Sequence, residues 1–180
     1  MPTPVPTPEP ADRPLPVPAR HTEAELAALL HLLTTNRPRV HTVAVGHSRD
    51  EPSRATAQAF AEAWQALGGT VLTVTDWPEH AASWLRPARR LTAQEPDAWV
   101  VAAAPLGWAR LARRLRHSTA WTAERTFGSA ALAEPHMIAL AGPDTLDGLR
   151  GATADGGTWE VRDGWLTTAR PQGGPGPFGS

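Results

Sequence analysis

His47, Ser48 and Asp50 lie close together in the chain and are the side-chain types of a nucleophile, its base and an orienting carboxylate. A triad needs such groups to converge in a fixed geometry, which neighbours on one loop rarely achieve. Ser129 sits in the run Phe127-Gly128-Ser129-Ala130-Ala131, which lacks the second glycine of a nucleophile elbow. The histidines at 21, 31, 41, 47, 80, 117 and 136 form no H-x-x-x-H pair and no carboxylate-rich cluster at metal-binding spacing. With no cysteine, the chain has neither a thiolate nucleophile nor a disulfide framework. Gly68-Gly69 ends a helical segment instead of opening one, and Gly156-Gly157 lies in a late loop, so neither is a dinucleotide fingerprint. The chemistry that is left is binding. A non-enzyme with no metal and no cofactor is expected.

The elements that would position these residues alternate between helix and strand. Thr22 and Glu25 read as a T-x-x-E capping box, and Leu26, Leu29, Leu30 and Leu33 follow at helical spacing until Asn36 and Pro38 stop the helix. Residues 40–46 (VHTVAVG) form a short β-branched strand. Residues 53–67 form a strong helix with Phe60, Trp64 and Leu67 on one face and Gly68-Gly69 at its end. A strand over 70–75 follows, then a helix over 79–93 that Pro87 should kink or split. Residues 98–104 (AWVVAAA) are apolar throughout, as in a strand buried on both faces of a parallel sheet. A helix over 107–117 turns Leu111 and Leu115 inward. Beyond it come a strand over 125–128, a short helix over 135–141 and a strand over 148–154. Strands over 158–161 and 165–168 flank Arg162-Asp163-Gly164, a hairpin signal. Such alternation implies a mainly parallel sheet with right-handed crossovers. The expected class is α/β: a doubly wound, three-layer α/β/α fold in the flavodoxin-like order 2-1-3-4-5, with a C-terminal β-hairpin.

Composition sets the outer bounds. Hydrophobic residues make up 41% and charged residues 19%, enough apolar material for one packed domain. The net charge of −1 gives no bulk attraction to nucleic acid or anionic membrane. All 17 basic residues are Arg, and Tyr and Lys are absent, which reads as the coding bias of a GC-rich genome. Arg110, Arg113, Arg114 and Arg116 follow the spacing of any solvated helix side, and acidic residues elsewhere balance them. No nucleic-acid partner is expected. Residues 1–20 alternate Pro with small or polar residues and read as an extended linker or tail, and residues 170–180 as a Gly/Pro-rich tail. The single domain is then 21–169. No apolar run approaches the roughly 20 residues of a membrane span, and the first ten residues lack the apolar core of a signal peptide. As written, the chain reads as cytoplasmic.

The stretches RVHTVAVGHSRDEPSRATAQAFAEAWQALGGTVLTV, EPDAWVVAAAPLGWARLARRLR and WTAERTFGSAALAEPHMIALAGPDTLDGLRGAT resemble, in that order, the second lobe of type I periplasmic binding proteins of the branched-chain amino-acid class. The likeness covers residues 22–154. It implies a leucine-binding-protein-like lobe of an ABC-transporter substrate-binding protein used in amino-acid transport, and an extracytoplasmic location if the chain is a piece of such a protein. It also implies partners: a first lobe, and an ABC permease or a sensor domain. Family members close two lobes on a ligand, whereas this chain has residues for one. In the amino-acid binders, aromatic side chains follow the first and third strands of this lobe, and an acidic residue follows the fourth. The matching positions here (50–52, 105–106 and 129–130) hold no aromatic residue, and only the first group holds carboxylates.

Ligands on doubly wound sheets sit beyond the carboxyl ends of the strands, at the switch point between the first and third. That places His47, Ser48 and Asp50 on one loop, Ala104, Pro105 and Leu106 on the other, and Ser129 on a neighbour, as contacts for a small polar solute. Backbone N–H groups at the start of helix 53–67 could receive an anion. His47 and Ser48 also read as ordinary solvated loop residues, and Trp108 either stacks on a ligand or packs. A shortened lobe without ligand, serving protein association or sensing, is the alternative.

Overall fold

A computed structural model describes residues 14–171. The outer parts of both expected tails, 1–13 and 172–180, lie outside the described residues. Residues 14–20 carry no regular secondary structure and are largely exposed.

Seven strands form one sheet in the order β2-β1-β3-β4-β5-β6-β7. Strands β1 (Thr42–Ser48), β2 (Thr70–Trp77), β3 (Ala98–Ala102), β4 (Thr126–Gly128) and β5 (Arg150–Ala152) are parallel. The expected order 2-1-3-4-5 is therefore observed, and the late hairpin extends it. Strand β6 (Thr158–Arg162) pairs antiparallel with β5, and β7 (Trp165–Ala169) antiparallel with β6. Asp163 and Gly164, at φ 51° and 78°, make the two-residue turn between them.

Helices α1 (Glu23–Thr35) and α2 (Glu51–Ala66) cover one face of the sheet. Leu29, Leu33, Phe60 and Trp64 pack there on Val43, Val45, Val100 and Phe127. Helices α3 (Leu85–Thr92), α4 (Pro105–Ser118) and α5 (Pro135–Ala141) cover the other. Leu91, Trp108, Leu111, Leu115 and Met137 pack there on Trp77, Trp99 and Val101. Alternate β3 side chains enter opposite cores, which is why all five β3 residues are buried. Helix α2 ends as its glycines require: Gly68, at φ +85°, donates to the Gln65 carbonyl and Gly69 to that of Trp64, a Schellman closure. Trp159 of β6 is fully buried against the backbone of Gly128 and Gly151, and its Nε1 donates to the Ala152 carbonyl at 3.1 Å.

Two local expectations change. The segment 79–93 is helical only over Leu85–Thr92. Pro87 falls in the first turn, where no intrahelical N–H is required, so the helix starts late instead of kinking. Thr22 does accept from the Glu25 N–H at 3.0 Å, but the return half of the capping box is not made. Glu25 is buried, and its Oε1 instead accepts from the Ala130 N–H at 2.8 Å, 105 residues away.

Candidate functional site

From β1 the chain crosses to α2 on one face, and from the adjacent β3 to α4 on the other. This puts the topological switch point, where a gap is expected, at the carboxyl ends of the two strands. Strand β1 runs two residues further than the sequence suggested. His47 and Ser48 pair with Asp76 and Trp77 of a correspondingly longer β2, so both leave the loop for the strand and are buried.

The Ser48 hydroxyl closes the base of the gap. It donates to the Asp50 carboxylate, accepts the Ala104 N–H at 2.9 Å and lies 3.1 Å from the Ser53 hydroxyl. A hydroxyl has one proton and two lone pairs, so its bonding capacity is used within the chain. Asp50 caps α2, with Oδ1 accepting the Ser53 N–H at 2.9 Å. Burial pushes the Asp50 carboxyl up, but the bonds from Ser48 and Ser53 outweigh it and hold the group below its ordinary value. His47 Nδ1 lies 2.8 Å from the Ser48 carbonyl oxygen and must donate to it. The Ser48 proton thus points to a carboxylate and not to the imidazole. The spacing of a triad is present without its geometry.

Pro105 is buried at the first position of α4, Ala104 and Leu106 are half-buried, and Ala104 brings no side-chain cap. The cap comes from Glu79, beyond the end of β2, whose Oε1 accepts the Gly107 N–H at 2.6 Å. Gly107 permits this approach: a Cβ there would lie 2.8 Å from Glu79 Oε2 and 3.1 Å from its Cδ. Glu79 Oε2 is buried with no partner among the described residues. Burial raises the Glu79 carboxyl above its usual range, against the Gly107 bond and the charges of His80 and Arg110, while Asp50 adds to the rise. Ser129 is buried and its N–H donates to the Val101 carbonyl at 2.9 Å. The next donor, Ala130 N–H, is the one taken by Glu25.

The structure therefore gathers His47, Ser48, Asp50, Ala104 and Pro105 at one point, with Leu106 at its half-buried edge and Ser129 two strands along. Asp50, Glu79 and Glu25 accept the backbone N–H groups of Ser53, Gly107 and Ala130, which follow β1, β3 and β4. Glu79 and Glu25 were not anticipated as site residues. None of His47, Ser48, Asp50, Ala104, Pro105, Leu106 and Ser129 lines the grooves beside α4, beside Gly68-Gly69 or beside Glu124.

Solved structures share this fold. A protein described as a branched-chain amino-acid ABC transporter from Rhodospirillum rubrum superposes with a TM-score of 0.61 at 24% identity, over 74% of this chain and 37% of that one. The fold is that of one lobe of a type I periplasmic binding protein. A substrate-binding periplasmic protein from Ralstonia solanacearum matches the lobe with a TM-score of 0.62 at 17% identity, over 76% of this chain and 38% of that one. A solute-binding protein of an ABC transporter from Rhodopseudomonas palustris BisB5, in complex with 3,4-dihydroxybenzoic acid, gives 0.58 at 15%, over 72% and 35%. The lobe thus spans little more than a third of the length of these proteins. No family profile and no curated protein matches the chain.

Proposed function

We propose that this chain is a non-catalytic binding lobe that takes a small polar solute at the β1/β3 strand ends. The observation that carries the reading is the coincidence of two things: the fold of solute-binding receptors, and a strand-end gap that collects His47, Asp50 and the start of α4 at the fold's customary ligand position. Because the chain's own carboxylates already occupy the nearby N–H groups, the favoured solute bears hydrogen-bond donors or a positive charge and not a carboxylate. A first lobe and an ABC permease or sensor domain are the partners that this reading implies.

A second reading, association through the strand-end surface without ligand, is favoured by one specific feature. The Ser48 hydroxyl and the Gly107 and Ala130 N–H groups are all satisfied internally.

Thermal shift and calorimetry against amines, amides, amino acids and small aromatic acids separate the two. Solute binding predicts a rise of a few degrees for at least one donor-bearing solute, lost in Leu106→Glu at the half-buried edge of the gap. A flat panel together with a dimer in sedimentation experiments overturns it in favour of association.

A further inference from the structure

The most strongly charged surface of the molecule lies away from the strand ends. Helices α3 and α4 share one face of the sheet and carry Arg86, Arg89, Arg90, Arg110, Arg113, Arg114 and Arg116, all exposed, with no acidic residue in either helix. The chain as a whole is at −1, so this is a concentration of charge and not a general excess. Between the outer side of α4 and residues 141–145 runs an open groove of about 820 Å³, lined by Trp84, Arg110, Arg113, Arg114, Arg116 and His117 on one side. Ala141, Gly142, Pro143 and Thr145 form the other side, and no carboxylate lines it. The ion pairs among the described residues involve Arg20, Arg49 and Arg162, none of them in the groove.

The groove arginines have few partners. Arg116 Nη1 donates to the Pro143 carbonyl at 3.4 Å, Arg114 Nη1 to the Ser118 hydroxyl at 3.5 Å, and Arg110 Nη1 lies 3.3 Å from His80 Nδ1. Two acids stand near the groove without lining it: Asp144, exposed between Pro143 and Thr145, and Glu79, which feels the Arg110 charge and is already bonded to Gly107. A guanidinium has five N–H donors, so most of this capacity faces the groove and solvent. Spacing at 110, 113, 114 and 117 stacks four cationic or imidazole side chains on one side of α4, within a helical turn or two.

We propose that this groove binds a small ligand carrying two or more phosphate groups, held by Arg110, Arg113 and Arg114 against the 141–145 wall. The size falls in the usual range of small-molecule sites, about 300–1,000 Å³. Converging guanidinium forks match phosphate oxygens in pairs. A compact oligophosphate brings several negative charges into such a volume, which a lone carboxylate does not. Trp84, partly buried against the core, gives the groove one apolar wall for any organic group attached to the phosphates. The inference is independent of the solute reading, since none of its residues belongs to the strand-end gap.

The test is titration of the whole chain with inorganic tripolyphosphate at low salt, read by calorimetry and melting temperature. Saturable binding is expected. It should weaken by at least about 30-fold in Arg110→Gln/Arg113→Gln/Arg114→Gln, the equivalent of losing one or two charge-assisted contacts. The triple variant Arg86→Gln/Arg89→Gln/Arg90→Gln on α3 should stay within about 3-fold of the parent, because those residues do not line the groove. Arg114→Glu gives a single-site check if the groove triple variant melts early. Absence of tripolyphosphate binding overturns the proposal, even if an acidic peptide, RNA or anionic vesicle binds. Equal losses in the two triple variants also overturn it, since they would mean a diffuse field and not a site.

Discussion

Helices α1 and α2 begin on residues next to them in sequence: Thr22 accepts from Glu25 N–H and Asp50 from Ser53 N–H. On the opposite face, α3 and α4 begin on Trp84 and Ala104, neither of which provides a side-chain cap. Helix α4 is completed from 28 residues away by Glu79. Charge divides the same way. Helices α1 and α2 carry Glu23, Glu25, Glu51 and Glu62 against Arg54, whereas α3 and α4 carry only arginines. Among the described α-helices α4 is the one whose cap comes from afar, since on its own layer Ser83 Oγ accepts from Leu85 N–H at 3.4 Å before α3 and Glu134 accepts from His136 N–H at 3.1 Å before α5. The basic surface belongs to the layer that holds α4.

That contrast can be broken from the core outward. Trp108 is fully buried between Trp77 and Trp121, with ring centroids 6.2 and 5.9 Å away. Trp108→Ala should cost about 3–5 kcal/mol in urea denaturation, enough to abolish much of a small domain's stability. Ser48→Ala comes next, because it strips a partly buried N–H at Ala104 of its acceptor and Asp50 of a donor. A loss of about 1–3 kcal/mol is expected by the same measurement.

The two carboxylate caps should then respond to pH with opposite signs. Asp50 is held low when folded, so its contribution is present above the unfolded value of about 3.9 and fades as pH falls through the folded one. Glu79 is raised when folded, so its favourable contribution is present below about 4.3 and is lost as pH rises through the folded value. Denaturation between pH 3 and 7 should therefore show Asp50→Asn losing ground to the parent as pH rises, and Glu79→Gln gaining it. Parallel curves for the two variants would remove the distinction. The smallest effect is expected at the exposed pair of Arg49 and Asp76, 3.1 Å apart: Arg49→Ala should change stability by no more than about 0.5 kcal/mol.

What could be read from the sequence follows the same division. The apolar run 98–102, the glycines after α2 and the Asp163-Gly164 turn are local signals, and each produced the expected element. The strand order followed from them through the handedness of crossovers. The strand-end gap was legible as a place, since His47, Ser48, Ala104 and Pro105 do meet there. Its chemistry was not, because the deciding bonds span 28, 56 and 105 residues. Glu25 looked complete as half of a capping box, and Glu79 read as the first residue of the expected helix over 79–93. Trp108 could pack or stack, and only its neighbours across the core decide for packing.

The placement of Trp159 bears on how the molecule is made. Strands β4 and β5 are three residues each, and the ring that covers their glycines arrives on β6, close to the end of the described chain. During synthesis the segments up to Ala152 would emerge from the ribosome with that side of the sheet uncovered. Completion of this domain is therefore tied to the last hairpin, and a ribosome stalled before it would hold an open, aggregation-prone chain.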